Sequence, residues 1–408
     1  MKFFKQTIAT VPLQGQTVLL RADYNVPLRE NGAIEDDFRI RASLPTIRKL
    51  LEYNCKVVII SHLGRPSGHD PKLSLEVVAQ RLANYLEQPV RFVDQATGDK
   101  VKMAVKRAPK RSVTVLENLR FYPGEEANSD YFAHEIAYDT GARYFVQDGF
   151  GVVHREHAST SAITQCIPGV AGLLLEREYT TITSAMKSPK RPLVAVVGGA
   201  KVHDKIGMIT ALIAVADTVV IGGAMANTFL AYKGIDMGKS RFEPDEKSAL
   251  DAIYAAAKLK VGSGNIDDFL VLPTDVAVAS SPDVDEERRT VTLAAIKPAD
   301  MALDIGDDSI ARMVGLIEGA QTVIWNGTLG YAELPQFSHG SARLALTLAT
   351  HPEITSIIGG GDTADFVINW DSRRGDSFTH VSTGGGASLE LMAGLKLPGV
   401  ESLLDASK

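Results

Sequence analysis

The chain has 408 residues, of which 45% are hydrophobic and 23% are charged, a composition that excludes a disordered or fibrous protein. At roughly 150 residues per domain, this length predicts two or three domains. With a net charge of -6, the chain is not one that wraps nucleic acid, so any phosphate-binding surface must be local.

Cysteine usage and hydropathy narrow the class further. Cys55 and Cys166 are the two cysteines, so no disulfide framework is predicted and a reducing cytoplasm is the expected location. No secretory leader is expected, because Thr10, Pro12 and Gln14 interrupt the apolar residues near the start. No segment approaches the roughly 18 consecutive apolar residues of a membrane span. We therefore expect neither a membrane nor a nucleic acid as a partner.

Short β-branched runs alternate with longer helical stretches along the first half, which is typical of a parallel α/β sheet. The basic stretch from Lys100 to Arg111 is interpreted as a solvated helix face, since aromatic partners for a nucleic acid are absent from it. Strands are predicted at residues 18–21, 57–61, 113–116 and 144–147, and helices at 75–86 and 131–138.

A helical stretch at residues 172–187 is interpreted as a link to a second α/β domain. The chain is therefore predicted to have the α/β fold class, with two doubly wound, Rossmann-like parallel-sheet domains at residues 1–170 and 189–390, joined by an interdomain helix and hinge at 171–188. Residues 291–295 predict an added edge strand. The other strands of the second domain are predicted at residues 194–197, 218–221, 269–273, 322–325, 354–358 and 378–382.

Basic and polar residues follow the predicted strands of the first half. Ligands in open α/β sheets bind beyond the carboxyl ends of the strands, so the topology would gather these side chains on one rim. Any one of them could be an ordinary surface or ion-paired residue. At four successive strand ends they predict a site for a small, multiply charged anion, because arginine pairs bidentately with phosphate and carboxylate. The residues are Arg39, His62, Arg65, Arg120, His154, Arg155 and His157.

Glycine-rich turns follow five of the strands predicted in the second half. One such turn could reflect tight packing alone, but five predict a nucleotide site, because glycine lets backbone amides approach phosphates at a helix N-terminus. Lys201 and Lys205 lie four residues apart and can reach phosphate oxygens as point charges. Asp362 suits a Mg²⁺ ion that keeps most of its waters and binds one carboxylate plus phosphates.

An anion site in one domain and a nucleotide site in the other predict phosphoryl transfer, with closure excluding water. A hydroxyl acceptor would need a base among Asp23, His62, His154 and His157, whereas a carboxylate of pKa about 3.5 to 4 needs none. Residue spacing leaves both open. A non-catalytic protein that holds an organic anion is the alternative from another class. The two lysines and Asp362 argue against it, because the arginine site needs none of them.

Nine segments in order make the chain resemble the phosphoglycerate kinase family over essentially its whole length. This resemblance implies a glycolytic and gluconeogenic enzyme that transfers phosphoryl reversibly and with Mg²⁺ between ATP and the carboxylate of 3-phosphoglycerate, giving ADP and 1,3-bisphosphoglycerate. A monomer is expected. A kinase-fold paralogue that acts on a different phosphorylated acid is the alternative. The segments are RADYNVPL (21–28), DDFRI (36–40), SHLGRP (61–66), LENLRFYPGEE (116–126), DGFGVVHREHAST (148–160), GGAKVHDKI (198–206), WNGTLGYAE (325–333), GGGDTADF (359–366) and HVSTGGGASLELMAG (380–394).

Carried over position by position, the resemblance implies two sets of binding residues. The phosphoglycerate site is implied at Asp23, Asn25, Arg39, His62, Leu63, Gly64, Arg65, Arg120 and Arg155. The nucleotide site is implied at Gly199, Ala200, Lys201, Lys205, Gly223, Asn326, Glu333, Gly360, Gly361, Asp362 and Thr363, with Asp362 at the metal. Catalytic roles are implied for Arg39, Lys201, Gly361 and Gly385.

The resemblance also implies a hinge that closes and a C-terminal tail, residues 391–408, that packs back on the N-terminal domain. Four positions near the expected adenine pocket depart from the residues common in the family. Base selectivity is therefore left open. These positions are Ala224, Ala302, Asp307 and Thr328.

Overall fold

The computed structural model describes residues 2–283 and 285–406. The chain forms two compact units, of which unit 1 holds Met1–Thr180 with Lys396–Lys408 and unit 2 holds Thr181–Leu395. The division falls inside the helix that the sequence interprets as a link. The finer domain boundaries expected from the sequence stay a prediction.

A six-stranded parallel sheet flanked by helices forms unit 1, with the strand order β3-β4-β2-β1-β5-β6. Its strands are β1 (Thr17–Arg21), β2 (Lys56–Ile60), β3 (Val90–Val93), β4 (Ser112–Leu116), β5 (Tyr144–Gln147) and β6 (Gly169–Ala171). The helices are α1 (Phe38–Glu52), α2 (Glu76–Leu86), α3 (Asp99–Arg107), α4 (Pro123–Glu126), α5 (Asp130–Thr140), α6 (Ile163–Cys166) and α7 (Leu173–Lys187), the last of which continues into unit 2.

The strands of unit 1 form where continuous apolar runs can be buried on both faces of the sheet. In β1, β2 and β4 every residue after the first is buried. The edge strand β3 is mostly exposed or half-buried and β6 has only three residues, so neither was predicted from an apolar run. In α3 the basic stretch buries Val101 and Val105 and exposes Lys106, as a solvated helix face should.

Unit 2 contains a second six-stranded parallel sheet, in the order β15-β14-β13-β7-β8-β9, and a smaller antiparallel sheet, β11-β10-β12. The strands are β7 (Leu193–Val197), β8 (Thr218–Ile221), β9 (Leu270–Val271), β10 (Asp275–Ala279), β11 (Arg289–Thr292), β12 (Met301–Ile305), β13 (Thr322–Asn326), β14 (Thr355–Gly359) and β15 (His380–Val381). The helices are α8 (Ile206–Val215), α9 (Gly223–Tyr232), α10 (Lys247–Val261), α11 (Ile266–Phe269), α12 (Asp307–Glu318), α13 (His339–Thr350), α14 (Gly361–Trp370) and α15 (Gly385–Met392).

The two parallel sheets confirm the α/β fold class expected from the sequence. The smaller sheet was foreseen only in part. An edge strand was predicted at residues 291–295, but β11 ends at Thr292 and Leu293–Ala295 form a 3-10 turn. Strands β10 and β12 were not predicted, although β10 is entirely buried.

The C-terminal segment returns to unit 1 from Lys396 onward and contains the short helix α16 (Pro398–Glu401). The Lys5 ammonium donates to the carbonyl oxygens of Glu401 at 2.7 Å and Leu403 at 2.9 Å. The backbone N–H of Gly399 donates to the Val153 carbonyl at 2.8 Å. Within residues 2–283 and 285–406, no helix has the length and hydropathy that a membrane span requires.

Candidate active site

The carboxyl ends of four neighbouring strands meet at one edge of the unit 1 sheet. Because β4, β2, β1 and β5 are adjacent and parallel, the segments that follow them lie side by side, as the sequence predicted. These segments carry the arginine cluster, defined as Arg65, Arg120 and Arg155 together with Arg39 from the first turn of α1.

Asp23 and Asn25 organise the segment that follows β1. The buried Asp23 carboxylate forms an ion pair with the Arg39 guanidinium. Its other oxygen accepts the backbone N–H of Asn25 at 3.2 Å. The Asn25 side-chain oxygen accepts the backbone N–H of Gly64 at 2.8 Å, which ties the segment after β1 to the one after β2.

Asn118 and Arg120 hold the segment after β4 against the same edge. The buried Asn118 side-chain amide donates to the carbonyl oxygens of Leu63 at 2.8 Å and Leu73 at 2.9 Å. Arg120 donates from Nη1 to the Gly64 carbonyl at 2.7 Å, and its Nε lies 3.1 Å from Glu126 Oε1. Burial lowers the pKa of the Arg120 guanidinium. Asn118 was not among the predicted site residues, although it lies within the segment LENLR.

Sequence reasoning also missed a buried charge network behind the arginine cluster. Arg21, at the end of β1, donates from Nε to Ser159 Oγ at 2.8 Å and lies 3.1 Å from His62 Nδ1. Ser159 in turn donates its hydroxyl to Glu125 Oε1 at 2.6 Å. Both Arg21 and Glu125 stand inside motifs quoted above, but a buried role cannot be read from their residue types.

Three histidines at this edge are held neutral. Burial, together with the guanidinium charges of Arg21 and its neighbours, lowers the pKa of His62 well below its usual range. The same causes lower the pKa of His157 to about 4, and burial beside Arg155 lowers the pKa of His154. The positive charge of the site therefore comes from arginine.

Two members of the arginine cluster face outward. The exposed Arg65 side chain makes no hydrogen bond or ion pair within the residues that the structure describes. The Arg155 side chain is half-buried, and its Nε lies 3.3 Å from His154 Nε2. Both guanidiniums can therefore turn to an anion without breaking a strong contact.

In unit 2 the glycine turns come together at the carboxyl ends of β7, β8 and β13. The backbone N–H groups of Gly198 and Gly199 donate to the carbonyls of Asn326 at 2.9 Å and Thr328 at 2.8 Å. A Cβ atom on Gly327 would lie 2.1 Å from the Gly198 carbonyl oxygen, and the Gly327 φ of +95° is itself unfavourable for other residues. The turns lie so close to one another that a side chain at Gly327 would not fit between them.

Lys205 reaches into this group of turns. Its ammonium donates to the Gly198 carbonyl at 2.8 Å. Burial lowers the pKa of Lys205 to about 8, although the negative charges of Asp362 and Asp204 oppose that shift. Lys201 is exposed and makes no hydrogen bond or ion pair within the described part of the chain.

Two helix N-termini lie next to each other at the same sheet edge. Helix α14 begins at Gly361 and α15 begins at Gly385, and a Cβ on Gly385 would lie 3.5 Å from the Gly361 nitrogen. Thr363, in the first turn of α14, accepts the backbone N–H of Gly327 at 2.7 Å. The positive ends of the two helix dipoles therefore add at one place, which favours an anion.

Asn326 stands out because it is 1% exposed and, among the residues that the structure describes, both of its amide atoms lack a hydrogen-bond partner. A Cβ on Gly360 would lie 3.2 Å from Asn326 Nδ2, so the amide borders the turn before α14. Buried polar groups in folded proteins are rarely left unpaired. The amide is thus suited to a ligand at this turn.

A cavity of about 450 Å³ lies along α14, from Asp362 to Trp370. Its lining includes Thr328, Glu333 and Asp362 with the rings of Phe366 and Trp370. A larger groove of about 780 Å³ in unit 1, lined from residues 28–32 and 70–80, contains none of the predicted site residues. The smaller cavity is therefore the one associated with the site.

The protein groups present suit a magnesium ion that is held mainly by phosphate oxygens and water, with few ligands from the protein. Within the described residues, no group of three or more histidine, cysteine, aspartate or glutamate side chains could hold a metal by itself. Asp362 is exposed in the first turn of α14, beside the helix N-terminus that suits phosphate. One carboxylate plus phosphate oxygens and water is a set that Mg²⁺ accepts.

Comparison with known proteins assigns the chain to a family. The family model described as phosphoglycerate kinase matches residues 8–395. The chain belongs to the phosphoglycerate kinase family. Phosphoglycerate kinases of Pelotomaculum thermopropionicum and Roseiflexus castenholzii are 43% and 44% identical to it. The aligned region covers 98% of this chain in both comparisons, and 99% and 100% of the two relatives, respectively.

Solved structures of the family agree with this assignment. The phosphoglycerate kinase of Coxiella burnetii has a TM-score of 0.82 at 33% identity, and that of Pyrococcus horikoshii has 0.82 at 29%. Each comparison covers 98% of both chains. The family resemblance predicted from the sequence is thus confirmed, and the chain is a kinase that acts on phosphoglycerate with a nucleotide as the other substrate.

Proposed function

We propose that unit 1 binds 3-phosphoglycerate at the arginine cluster and that unit 2 binds ATP or ADP at the glycine turns, for reversible transfer of the γ-phosphoryl group to the substrate carboxylate. The observation that carries this proposal is the concentration of four arginines around neutral histidines at one sheet edge. 3-Phosphoglycerate carries a phosphate and a carboxylate, which are the two groups that the guanidinium fork fits. The roles of individual residues below are part of the proposal.

In unit 1, the Asp23 and Asn25 side chains hold the binding segments and the arginines supply charge. The Asp23 ion pair keeps Arg39 oriented, so that its guanidinium can stabilise negative charge as the phosphoryl group is transferred. Leu63 and Gly64 are held by Asn118, Asn25 and Arg120. Their backbone thus forms the floor of the site.

In unit 2, Lys201 and Lys205 act on the phosphate oxygens as point charges. The N–H groups at the starts of α14 and α15, at Gly361 and Gly385, stabilise the oxygens of the transferring group without reorganising. Gly199, Ala200, Gly223 and Gly360 to Thr363 form the surrounding turns, and Asn326 and Glu333 contact the nucleotide.

Asp362 would hold the magnesium ion together with the nucleotide phosphates. When bound, Mg²⁺ neutralises phosphate charge and aligns the oxygens for transfer. The base selectivity that Ala224, Ala302, Asp307 and Thr328 leave open is decided by the same experiment as the activity. A cytoplasmic monomer and a hinge that closes during turnover, both expected from the sequence, complete the proposal.

The acceptor needs no general base. A carboxylic acid of pKa about 3.5 to 4 is already ionised at neutral pH, so its oxygen attacks directly. His62, His154 and His157, which sequence reasoning considered as bases, are held neutral with lowered pKa values. Such weak bases fit a role as hydrogen-bonding groups better than as proton acceptors.

The test is Mg²⁺-dependent release of ADP from ATP with 3-phosphoglycerate, coupled to removal of the acyl phosphate, with GTP run in parallel. Turnover that requires both 3-phosphoglycerate and Mg²⁺ is expected. Substitution of 2-phosphoglycerate serves as the acceptor control. Turnover only with another phosphorylated acid would replace the proposal with the paralogue, and ATP binding without any turnover would favour a binding protein.

A further inference from the structure

The Arg21 guanidinium is 1% exposed, and its three nitrogens are all engaged within unit 1. Nε donates to Ser159 Oγ at 2.8 Å, and Nη1 donates to the Ala22 carbonyl and to Ser61 Oγ at 3.3 Å. The remaining nitrogen, Nη2, lies 3.1 Å from Nδ1 of His62, whose side chain is itself buried. Arg21 thus has one fixed orientation toward the imidazole ring.

The direction of this last hydrogen bond follows from the chemistry of the two groups. A guanidinium has only N–H donors and cannot accept a hydrogen bond. His62 Nδ1 must therefore present a lone pair. A neutral imidazole carries a single ring proton, so that proton is on Nε2.

The donors and acceptors of the neighbouring hydrogen bonds are consistent with Arg21 acting only as a donor. Ser159 donates its hydroxyl to Glu125 Oε1 at 2.6 Å, which leaves its lone pairs for Arg21. Ser61 donates to the Ala22 carbonyl at 2.7 Å and likewise accepts from Arg21. The buried Glu125 carboxylate also provides the nearby negative charge that a buried guanidinium requires.

We propose that Arg21 is a positioning residue that fixes His62 as the Nε2–H tautomer, so that Nε2 donates a hydrogen bond to an anionic oxygen of the substrate. Within the described part of the chain, Nε2 makes no hydrogen bond, whereas Nδ1 is engaged by Arg21. The tautomer follows from the geometry alone. The identity of the acceptor rests on the proposed function.

The charges around the ring keep this donor constant over the neutral pH range. Those that act on His62 are Arg21 at the end of β1, Arg39 on α1, Arg120 after β4 and Arg155 after β5. With burial, all four lower the pKa of the imidazole, so protonation of Nδ1 against the Arg21 guanidinium is disfavoured. His62 accordingly stays neutral and donates from Nε2.

The tautomer can be measured directly on the full-length, ligand-free protein labelled with ¹⁵N-histidine. Long-range ¹H–¹⁵N spectra distinguish a protonated from an unprotonated ring nitrogen, and the His62→Gln variant identifies the His62 signals by their loss. We expect an unprotonated Nδ1, a protonated Nε2 and no titration of His62 between pH 6 and pH 8. A protonated Nδ1, or a His62 titration midpoint within that range, would overturn the inference.

The role of the donor is measured with two His62 variants. The Gln side chain can place an N–H near the position of Nε2, whereas Asn reaches only to the position of Nδ1. For loss of a hydrogen bond to a charged group, His62→Asn should raise the KM for 3-phosphoglycerate roughly tenfold or more with kcat little changed. His62→Gln should recover most of that loss, and equal KM values in the two variants would contradict the donor role.

The spectra and the kinetics together distinguish a failure of this inference from a failure of the proposed function. The spectra require no turnover, so an Nε2–H tautomer in a protein that does not phosphorylate 3-phosphoglycerate would leave the positioning by Arg21 in place and overturn the function. In an Arg21→Met variant that remains folded by circular dichroism, His62 should show a mixture of tautomers. An unchanged single tautomer in that variant would show that Arg21 does not set it.

Discussion

The ammonium of Lys205 lies 2.8 Å from the carbonyl oxygen of Gly198, inside a group of glycine turns. The lysine side chain is half-buried, and within the described residues that carbonyl is the one hydrogen-bond acceptor of its ammonium. Burial accordingly lowers its pKa to about 8, within reach of physiological pH. The charge that would meet a nucleotide phosphate is therefore pH-dependent.

Nucleotide affinity should weaken as the pH rises above about 8, because free Lys205 then loses its proton. Because binding is linked to one protonation, the Kd should rise by at most about tenfold per pH unit. Phosphate groups have second pKa values of about 6 and do not titrate in this range. Isothermal titration calorimetry with ADP from pH 7 to pH 10 measures the slope.

A Lys205→Arg variant should remove this pH dependence, because the guanidinium stays charged throughout. Lys258→Arg, at an exposed position on α10, is the matched control and should keep the wild-type slope. The same slope in wild type and Lys205→Arg would show that another group titrates.

Gly327→Ala should disrupt the nucleotide site and destabilise unit 2 by at least about 2 kcal/mol, because a strained φ costs on the order of 1–3 kcal/mol before any clash is counted. The added Cβ would lie 2.1 Å from the Gly198 carbonyl oxygen. Urea unfolding, followed by the fluorescence of Trp325 and Trp370 in unit 2, measures the effect.

The matched control is Gly315→Ala in the exposed part of α12, where a Cβ meets nothing within 4 Å. That variant should be more stable than wild type by about 0.5–1 kcal/mol, because alanine is the better helix former. Equal stability of the two variants would refute the steric argument.

Replacing Arg39 or Lys201 with alanine should lower kcat by on the order of 10²-fold or more, because each removes charge stabilisation from the transferring phosphoryl group. Circular dichroism should show that the fold survives. Arg29→Ala and Lys258→Ala, at exposed positions outside the proposed site, are the controls and should retain near-normal kcat. Near-normal turnover in both site variants would exclude the assigned mechanism.

Asp148 should make stability fall as the pH rises from about 4 to 7. Burial raises the pKa of its carboxyl from 3.8 to about 7, so the folded protein holds a proton that the unfolded chain releases in this range. The loss of stability caused by the ionised carboxylate therefore reaches its full size only above about pH 7. An Asp148→Asn variant, which is never ionised, should escape this loss.

The measurement is calorimetric unfolding of wild type and Asp148→Asn at pH 5 and pH 8. Among the described residues, Asp148 Oδ1 accepts the backbone N–H of Leu174 at 2.9 Å and Oδ2 has no hydrogen-bond partner, so an amide can take the place of the carboxyl. The variant should gain up to about 4 kcal/mol relative to wild type at pH 8, and much less at pH 5. A difference between the proteins that does not change with pH would contradict the raised pKa.

Much of the fold could be predicted because parallel strands that are buried on both faces appear in the sequence as continuous apolar runs. The runs at Val194–Val197 and Val57–Ile60 contain only β-branched residues and alanine, and both lie in buried strands. Strand β3 was missed because it is partly exposed and carries no such run, whereas β10 and β12 of the smaller sheet were missed although β10 is entirely buried. Their formation depends on a neighbouring strand that supplies hydrogen bonds.

The sequence by itself determined the α/β class, the family and the residue types available for binding anions, because these depend on local patterns and on the order of motifs. Only the tertiary structure decided which side chains are buried and paired. Arg21 and Arg65 look alike in sequence, yet one is enclosed and fixes a histidine while the other faces solvent. The physical reason is that burial, hydrogen-bond direction and pKa depend on neighbours that are distant along the chain, such as Ser159 beside Arg21.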